Sequence, residues 1–223
     1  MNPLEKGIAL PMTQTAHPTD LELAALISSK ICHDVINPVG AIYNGLEILN
    51  EEEDAEAKSY ALEVIRNVTE QASARLQFAR FAFGAAGSAG SVIDLTTAEQ
   101  ISRGFIGKGK HKLIWKGPSG HLAKDRAKLL LNMVASAISA LPRGGDIEVE
   151  LKGPLENATF SVRCRGTGAR PPHHLVEYLT GAPTPPLDTQ TIQPYYTARL
   201  VENAGMRLDV LKDGADVILS AHT

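Results

Sequence analysis

His33 is followed at once by Asp34, with Asn37 and Pro38 four and five places on. A neutral imidazole keeps a lone pair on one ring nitrogen and titrates near pH 6.5, so at neutral pH it is a nucleophile. A carboxylate beside it can fix the tautomer and leave the other nitrogen free to accept a phosphoryl group as a phosphoramidate. The local pattern is helical. At about 100° per residue, the apolar stripe Ile27, Ile31, Val35, Pro38, Ile42, Leu46 and Leu49 clusters about 170° from His33. Leu26, Ser29, Asn37, Gly40 and Asn44 fall within about 40° of it and are mostly small or polar. Gly40, at a helix cost of about 1 kcal/mol against Ala, leaves a flat place where another backbone could approach. Pro38 cannot donate to the carbonyl of Asp34, so a local bend is expected.

These residues divide by role. His33, Asp34 and Asn37 are the catalytic candidates, and Leu26, Ser29, Lys30, Asn37 and Gly40 the candidates for a partner-binding surface. Lys30 could steady phosphoryl charge, although a solvated lysine accounts for it as well. No residue is assigned to a cofactor or a metal. His173 and His174 are adjacent, one helix should not aim both at a single ion, and they are read as surface.

The positioning elements follow from the pattern around His33. Thr19-Asp20-Leu21-Glu22 reads as a capping box opening a helix, which its stripe carries to about Asn50. The acidic turn Glu51-Glu52-Glu53-Asp54 suits the positive end of the next helix dipole. The second helix carries Ala61, Ile65, Val68, Ala72, Leu76, Ala79 and Phe83. Two long helices joined by a short turn pack antiparallel, and stripes this long are covered either by the chain's own C-terminal domain or, more economically, by a second hairpin that completes a four-helix bundle. A homodimer is therefore expected. Charged residues off the stripes, such as Glu47, Glu63, Arg66 and Glu70, are solvated faces.

Beyond this hairpin the rhythm changes. Residues 1–18 hold three prolines and read as a flexible arm, 19–84 as the dimerising hairpin, the Gly/Ala/Ser run 85–91 as a linker, and 92–223 as a second domain. Strands are expected at Val92–Leu95, Lys112–Lys116, Ile147–Leu151, Ala158–Cys164, Arg207–Leu211 and Val217–Ser220. Helices are expected at Ala98–Ile106, Asp125–Leu141, His174–Leu179 and Thr191–Ala204, with a Pro-rich loop over Pro183–Pro186. This mixture is α+β, with helices layered on one face of a sheet.

Composition narrows the function class. A net charge of −3 over 223 residues argues against nucleic acid or an anionic membrane as partner. No apolar run approaches the roughly 20 residues that cross a bilayer. Met1 to Pro18 lacks the cationic and apolar blocks of a signal peptide, which places the chain in the cytoplasm. Cys32 and Cys164 have no metal-ligand spacing around them and read as reduced structural thiols.

His33-Asp34 with Asn37-Pro38 resembles the H-box of sensor histidine kinases, the segment that carries their phosphoacceptor. The second domain resembles the ATP-binding domain of the same kinases with its nucleotide chemistry removed. Leu130 to Ile138 and Pro142 to Val149 are similar to the N-box helix, turn and strand, but Ser136 stands where the family places its second Asn. Phe160 to Gly168 resembles the first glycine box and keeps Gly166 and Gly168, read here as turn-formers, while the adenine-reading Asp falls at Cys164. A thiol cannot accept the adenine amino group as a carboxylate does. Ala198 to Gly205 is similar to the helix after the second glycine box, whose glycines are replaced by Thr191 to Tyr196, and no ATP-lid sequence lies between Pro172 and Gln190. ATP chemistry needs these parts together.

The whole resemblance, over residues 20–220, is to the ChpT-type histidine phosphotransferases of alphaproteobacteria. It implies a degenerate kinase-like sandwich joined to the hairpin, no autokinase activity, and a phosphorelay role. His33 would accept phosphoryl from the receiver domain of a hybrid histidine kinase and pass it to response regulators, including a CtrA-type one. It implies no cofactor of the chain's own, no ATP, and Mg²⁺ on the partner receiver. Two other readings stay open: an active sensor histidine kinase with an atypical nucleotide site, and a non-catalytic dimeric scaffold that binds a regulator. A related reading is a net phosphatase for receivers, with Asn37 orienting a water, which the sequence does not separate from forward transfer.

Overall fold

A computed structural model describes residues 18–84, 91–181 and 186–223. The arm (except Pro18), the linker (except Ser91) and most of the Pro-rich loop expected from the sequence lie outside the described residues.

Helix α1 spans Asp20–Glu51 and helix α2 spans Ala55–Ala82. The capping box that opens α1 forms as expected: Glu22 N donates to Thr19 Oγ1 at 3.3 Å, and Thr19 N donates to Glu22 Oε2 at 2.8 Å. Asp54 caps α2 by accepting from Ala57 N at 3.0 Å. The inner faces meet closely. Gly45 of α1 is buried, and a Cβ there would lie 2.6 Å from Ile65 Cγ1 of α2. Leu46 and Leu76, both expected on the inner stripes, are instead 48% and 47% exposed. They lie at the rim, beside other large apolar residues that face solvent: Ile36, Val39 and Tyr43 on α1, and Leu62 on α2.

After the hairpin come β1 (Val92–Asp94), α3 (Leu95–Ile106), β2 (His111–Lys116), β3 (His121–Ala123), α4 (Lys124–Ala140), β4 (Gly145–Lys152), β5 (Thr159–Arg165), α5 (His173–Thr180), α6 (Ile192–Asn203), β6 (Arg207–Asp213) and β7 (Asp216–His222). Five strands form a sheet in the order β2-β4-β5-β7-β6, with only β2 and β4 parallel. β1 and β3 form a separate antiparallel pair. β3 is not among the strands expected from the sequence: His121-Leu122-Ala123 carries no β-branched residue, unlike Val92-Ile93 of β1.

The sheet has one covered and one open face. Ile147 and Val149, Phe160, Val162 and Cys164, and Val217, Leu219 and Ala221 are fully buried on the covered side. α4 is the centre of the helical layer: Leu129, Leu130, Leu131, Met133 and Val134 have no exposed surface. A helix apolar on every side is one that is enclosed, and each such side chain contributes about 1.5–3 kcal/mol by burial. On the open face Arg163 bridges Asp213 and Asp216 at 2.8 and 2.9 Å, and Glu148 joins Lys116 and Arg165 at 3.0 and 3.2 Å. Exposed pairs of this kind add little individually.

The hairpin is joined to the helical layer at the end of α2. Phe78 stacks on Phe105 of α3, with ring centroids 3.8 Å apart. The carbonyl of Ala82, in the last turn of α2 and so without a helical partner, accepts from Asn132 Nδ2 of α4 at 3.1 Å. Among the described residues no helix is long and apolar enough to cross a membrane.

Candidate functional site

His33 lies mid-way along α1 with its side chain 66% exposed. Asp34 is half-buried, and its Oδ2 accepts from Lys30 Nζ at 2.5 Å. The expectation that Asp34 fixes the imidazole is not met in this conformation: Asp34 Oδ1 is 3.6 Å from His33 Nδ1, beyond hydrogen-bond reach. Its other oxygen is committed to Lys30, which sits one helical turn earlier. That pair was legible in the sequence as oppositely charged residues four apart. Lys30 is 23% exposed and paired, so it is not the free, solvated lysine of the simpler account.

Pro38 is buried and the helix continues through it. The carbonyl of Asp34 that it leaves without a donor receives Arg75 Nη1 of α2 at 3.1 Å. Sequence reasoning located the vacancy but not the residue that fills it. Around His33, Ser29, Asn37, Gly40 and Asn44 are exposed and Leu26 is half-buried. A Cβ at Gly40 would meet nothing within 4 Å, so the flat place expected there is open.

His33, Lys30 and Asp34 line a cavity of about 790 Å³ together with residues of the second part of the chain, among them Ser136, Arg170, His173, His174 and Gln193. Leu26, Ser29, Asn37 and Gly40 do not line it; they form the outer face of α1. The wall opposite His33 is the region where the sequence resembles a nucleotide site. There Asn132 has no exposed surface, and its Nδ2 donates to the carbonyls of Ala82 and Lys128 at 3.1 and 2.9 Å. Gln193 Nε2 of α6 lies 3.3 Å from Asn132 Oδ1, 3.4 Å from Ser136 Oγ and 2.9 Å from Thr197 Oγ1. Ser136 Oγ donates to the carbonyl of Asn132 at 2.9 Å. Gln193 carried no signal in the sequence that would have assigned it to this network.

Cys164 is fully buried in the sheet, and burial pushes its thiol up to about 12. Cys32, expected to be structural as well, is exposed. Gly166 and Gly168 behave as turn-formers: Gly168 has φ +75°, and a Cβ at Gly166 would lie 2.3 Å from the carbonyl oxygen of Gly144. The expectation that His173 and His174 cannot converge is overturned. They open α5, and both Nδ1 atoms approach Glu177 Oε2, at 3.2 and 3.0 Å.

Residues 95–216 match the family model described as the histidine phosphotransferase C-terminal domain. Over 215 residues, covering 96% of this chain and 100% of the relative, the sequence is 42% identical to the protein phosphotransferase ChpT of Brucella abortus (strain 2308). A solved bacterial phosphotransferase is 40% identical with a TM-score of 0.86, covering 93% of this chain and 98% of that one. The histidine kinase ThkA, solved in complex with the response regulator TrrA, is 16% identical with a TM-score of 0.48, covering 90% of this chain and 61% of that one.

Proposed function

The chain belongs to the histidine phosphotransferase family, and on that premise we propose that His33 is the group that carries the phosphoryl in a phosphorelay. The Nε2 lone pair attacks the phosphorus of a phospho-aspartate on the receiver domain of a hybrid histidine kinase. An N–P bond forms as the acyl O–P bond breaks, and the donor aspartate leaves as a carboxylate. The phosphoimidazole then yields the phosphoryl to the aspartate of a response-regulator receiver, one of them CtrA-type. Mg²⁺ on the receivers would supply neutralisation of the transferring charge, and the transfer needs no cofactor from this chain. Its own part is the imidazole, Asp34 beside it, and a landing surface of Leu26, Ser29, Lys30, Asn37 and Gly40.

The observation that carries this reading is an imidazole two-thirds exposed, with a helical glycine two turns along the same face that has open space above it. A receiver backbone can lie close to the helix at Gly40, two turns from His33 on the same face.

The rest of the proposal concerns what surrounds that site. The hairpin, residues 19–84, dimerises and transfers; residues 92–223 act without ATP, and the chain works in the cytoplasm. The committed hydrogen bonds of Asn132, the short hydroxyl of Ser136 and the buried thiol of Cys164 support the loss of nucleotide binding. Ile36, Val39, Tyr43 and Leu46 recur at three- and four-residue spacing on α1, and Leu62 and Leu76 lie on α2; all face solvent. By helical phase the α1 set spans from about 60° (Ile36) to about 140° (Leu46) away from His33. An apolar face of this extent is covered in a working protein, which supports a two-fold four-helix bundle.

The test mixes the purified chain with a labelled phospho-receiver and then with a second receiver. Label should pass to His33 and onward, and His33→Ala should stop it. Transfer that persists in His33→Ala overturns the assignment, and strong self-labelling from ATP alone restores the kinase reading.

A further inference from the structure

We propose that His173, His174 and Glu177 form a three-ligand site for a divalent transition-metal ion of the Zn²⁺ type, at the rim of the cavity that His33 lines. Pro171 and Pro172 bring the chain into α5 with restricted φ, so the two histidines occupy its first turn. Glu177 stands four and three residues further on, one turn along the same face. The result is a convergent set. Its three ligand atoms lie within 4.8 Å of one another, with each Nδ1 at 3.2 or 3.0 Å from Glu177 Oε2. A tetrahedral ion with bonds of about 2.0–2.1 Å places its ligand atoms about 3.3 Å apart, close to those separations.

The rings support convergence. Their planes are 86° apart with centroids at 5.4 Å, so they address the carboxylate from different directions and are not stacked. The side chains of His173, His174 and Glu177 are 78%, 43% and 21% exposed, which leaves an entry path for a hydrated ion. The helix N-terminus weakly disfavours a cation, and the Glu177 carboxylate opposes that. Imidazole and carboxylate together favour Zn²⁺, Ni²⁺, Co²⁺ or Cu²⁺ over Mg²⁺ or Ca²⁺. Three protein ligands leave a fourth position for water or for an oxygen of an anion entering the cavity.

The test uses the untagged, full-length chain stripped with chelator and titrated with Co²⁺, read by its visible ligand-field absorption. One equivalent per chain should bind, be displaced by Zn²⁺ and be insensitive to a large excess of Mg²⁺. Glu177→Ala and His174→Ala should each weaken binding about tenfold or more, and His121→Ala, on β3, should leave it unchanged. His173→Ala, at the most exposed ligand, gives the same loss without bearing on folding. Absence of Co²⁺ binding overturns the proposal, and so does binding that survives His173→Ala and Glu177→Ala together.

Discussion

Asn132 is the residue whose replacement tests most sharply what the second half of the chain has become. Its carboxamide is fully buried and donates to the carbonyls of Ala82 and Lys128 while accepting from Gln193. Lys128 retains a helical partner, and Gln193 retains Thr197. Asn132→Ala therefore orphans chiefly the carbonyl of Ala82, at about 1–3 kcal/mol, and the small void adds to that, for about 2–4 kcal/mol in all. Asn132→Asp keeps the shape but turns an oxygen toward two carbonyl oxygens and buries a charge, which costs about 3–5 kcal/mol. The order is the test: Asp must be worse than Ala at neutral pH. The sign with pH follows too. Burial among acceptors raises the folded pKa of the introduced acid above its unfolded value, so the Asp deficit shrinks as pH falls and the protonated form becomes a donor. Urea unfolding followed by circular dichroism reads this as a fall in midpoint of roughly 1–2 M for Ala, at a slope of about 2 kcal/mol per M. If Asp were as stable as Ala, or more stable, the carboxamide would be facing water or a cation, and the proposed loss of nucleotide binding would lose this support.

The two glycines of α1 should respond with opposite sign. Gly40→Ala gains about 1 kcal/mol of helix propensity with nothing within 4 Å to oppose it, raising Tm by about 2–4 °C; Gly45→Ala meets Ile65 Cγ1 at 2.6 Å and should lose about 1–3 kcal/mol through overpacking. A Gly40→Arg variant should keep its melting temperature within about 4 °C and yet transfer slowly, because the landing place is filled. Arg75→Met removes the side chain that donates to the carbonyl freed by Pro38 and should cost about 1 kcal/mol in urea unfolding; no loss would mean that water serves equally well. A thiol reagent should modify Cys32 quickly and Cys164 only on unfolding. With the Cys164 thiol raised to about 12 from an ordinary 9.0, its contribution to stability is complete below pH 9 and is lost as pH climbs toward 12, and Cys164→Ala should flatten that alkaline decline.

Much of the hairpin was legible because its signals are local. The Thr19–Glu22 box, the three- and four-residue recurrence of apolar positions and the capping Asp54 each act within one or two turns. The strands β4, β5 and β7 were legible for the same reason, since alternation reports a sheet covered on one side. Leu46 and Leu76 were misplaced because a helical stripe has no sharp edge, and only the neighbouring helix decides which flank is enclosed. The second exposed stripe through Ile36, Val39 and Tyr43 could have been read from the same periodicity.

What the sequence determined alone was chemical: an imidazole beside a carboxylate on one helix face, a proline that strips a carbonyl of its donor, and a serine and a thiol at Ser136 and Cys164. Tertiary structure decided which groups answer one another across distant segments. Arg75 reaches the Asp34 carbonyl, Gln193 and Asn132 tie α6 and α4 to the Ala82 carbonyl, and α5 brings two histidines to the rim of the cavity that His33 shares. The physical reason is that helical and sheet periodicities fix the direction of a side chain within its own element. The partner in that direction is set only when the elements pack, by which buried polar groups must find donors and acceptors.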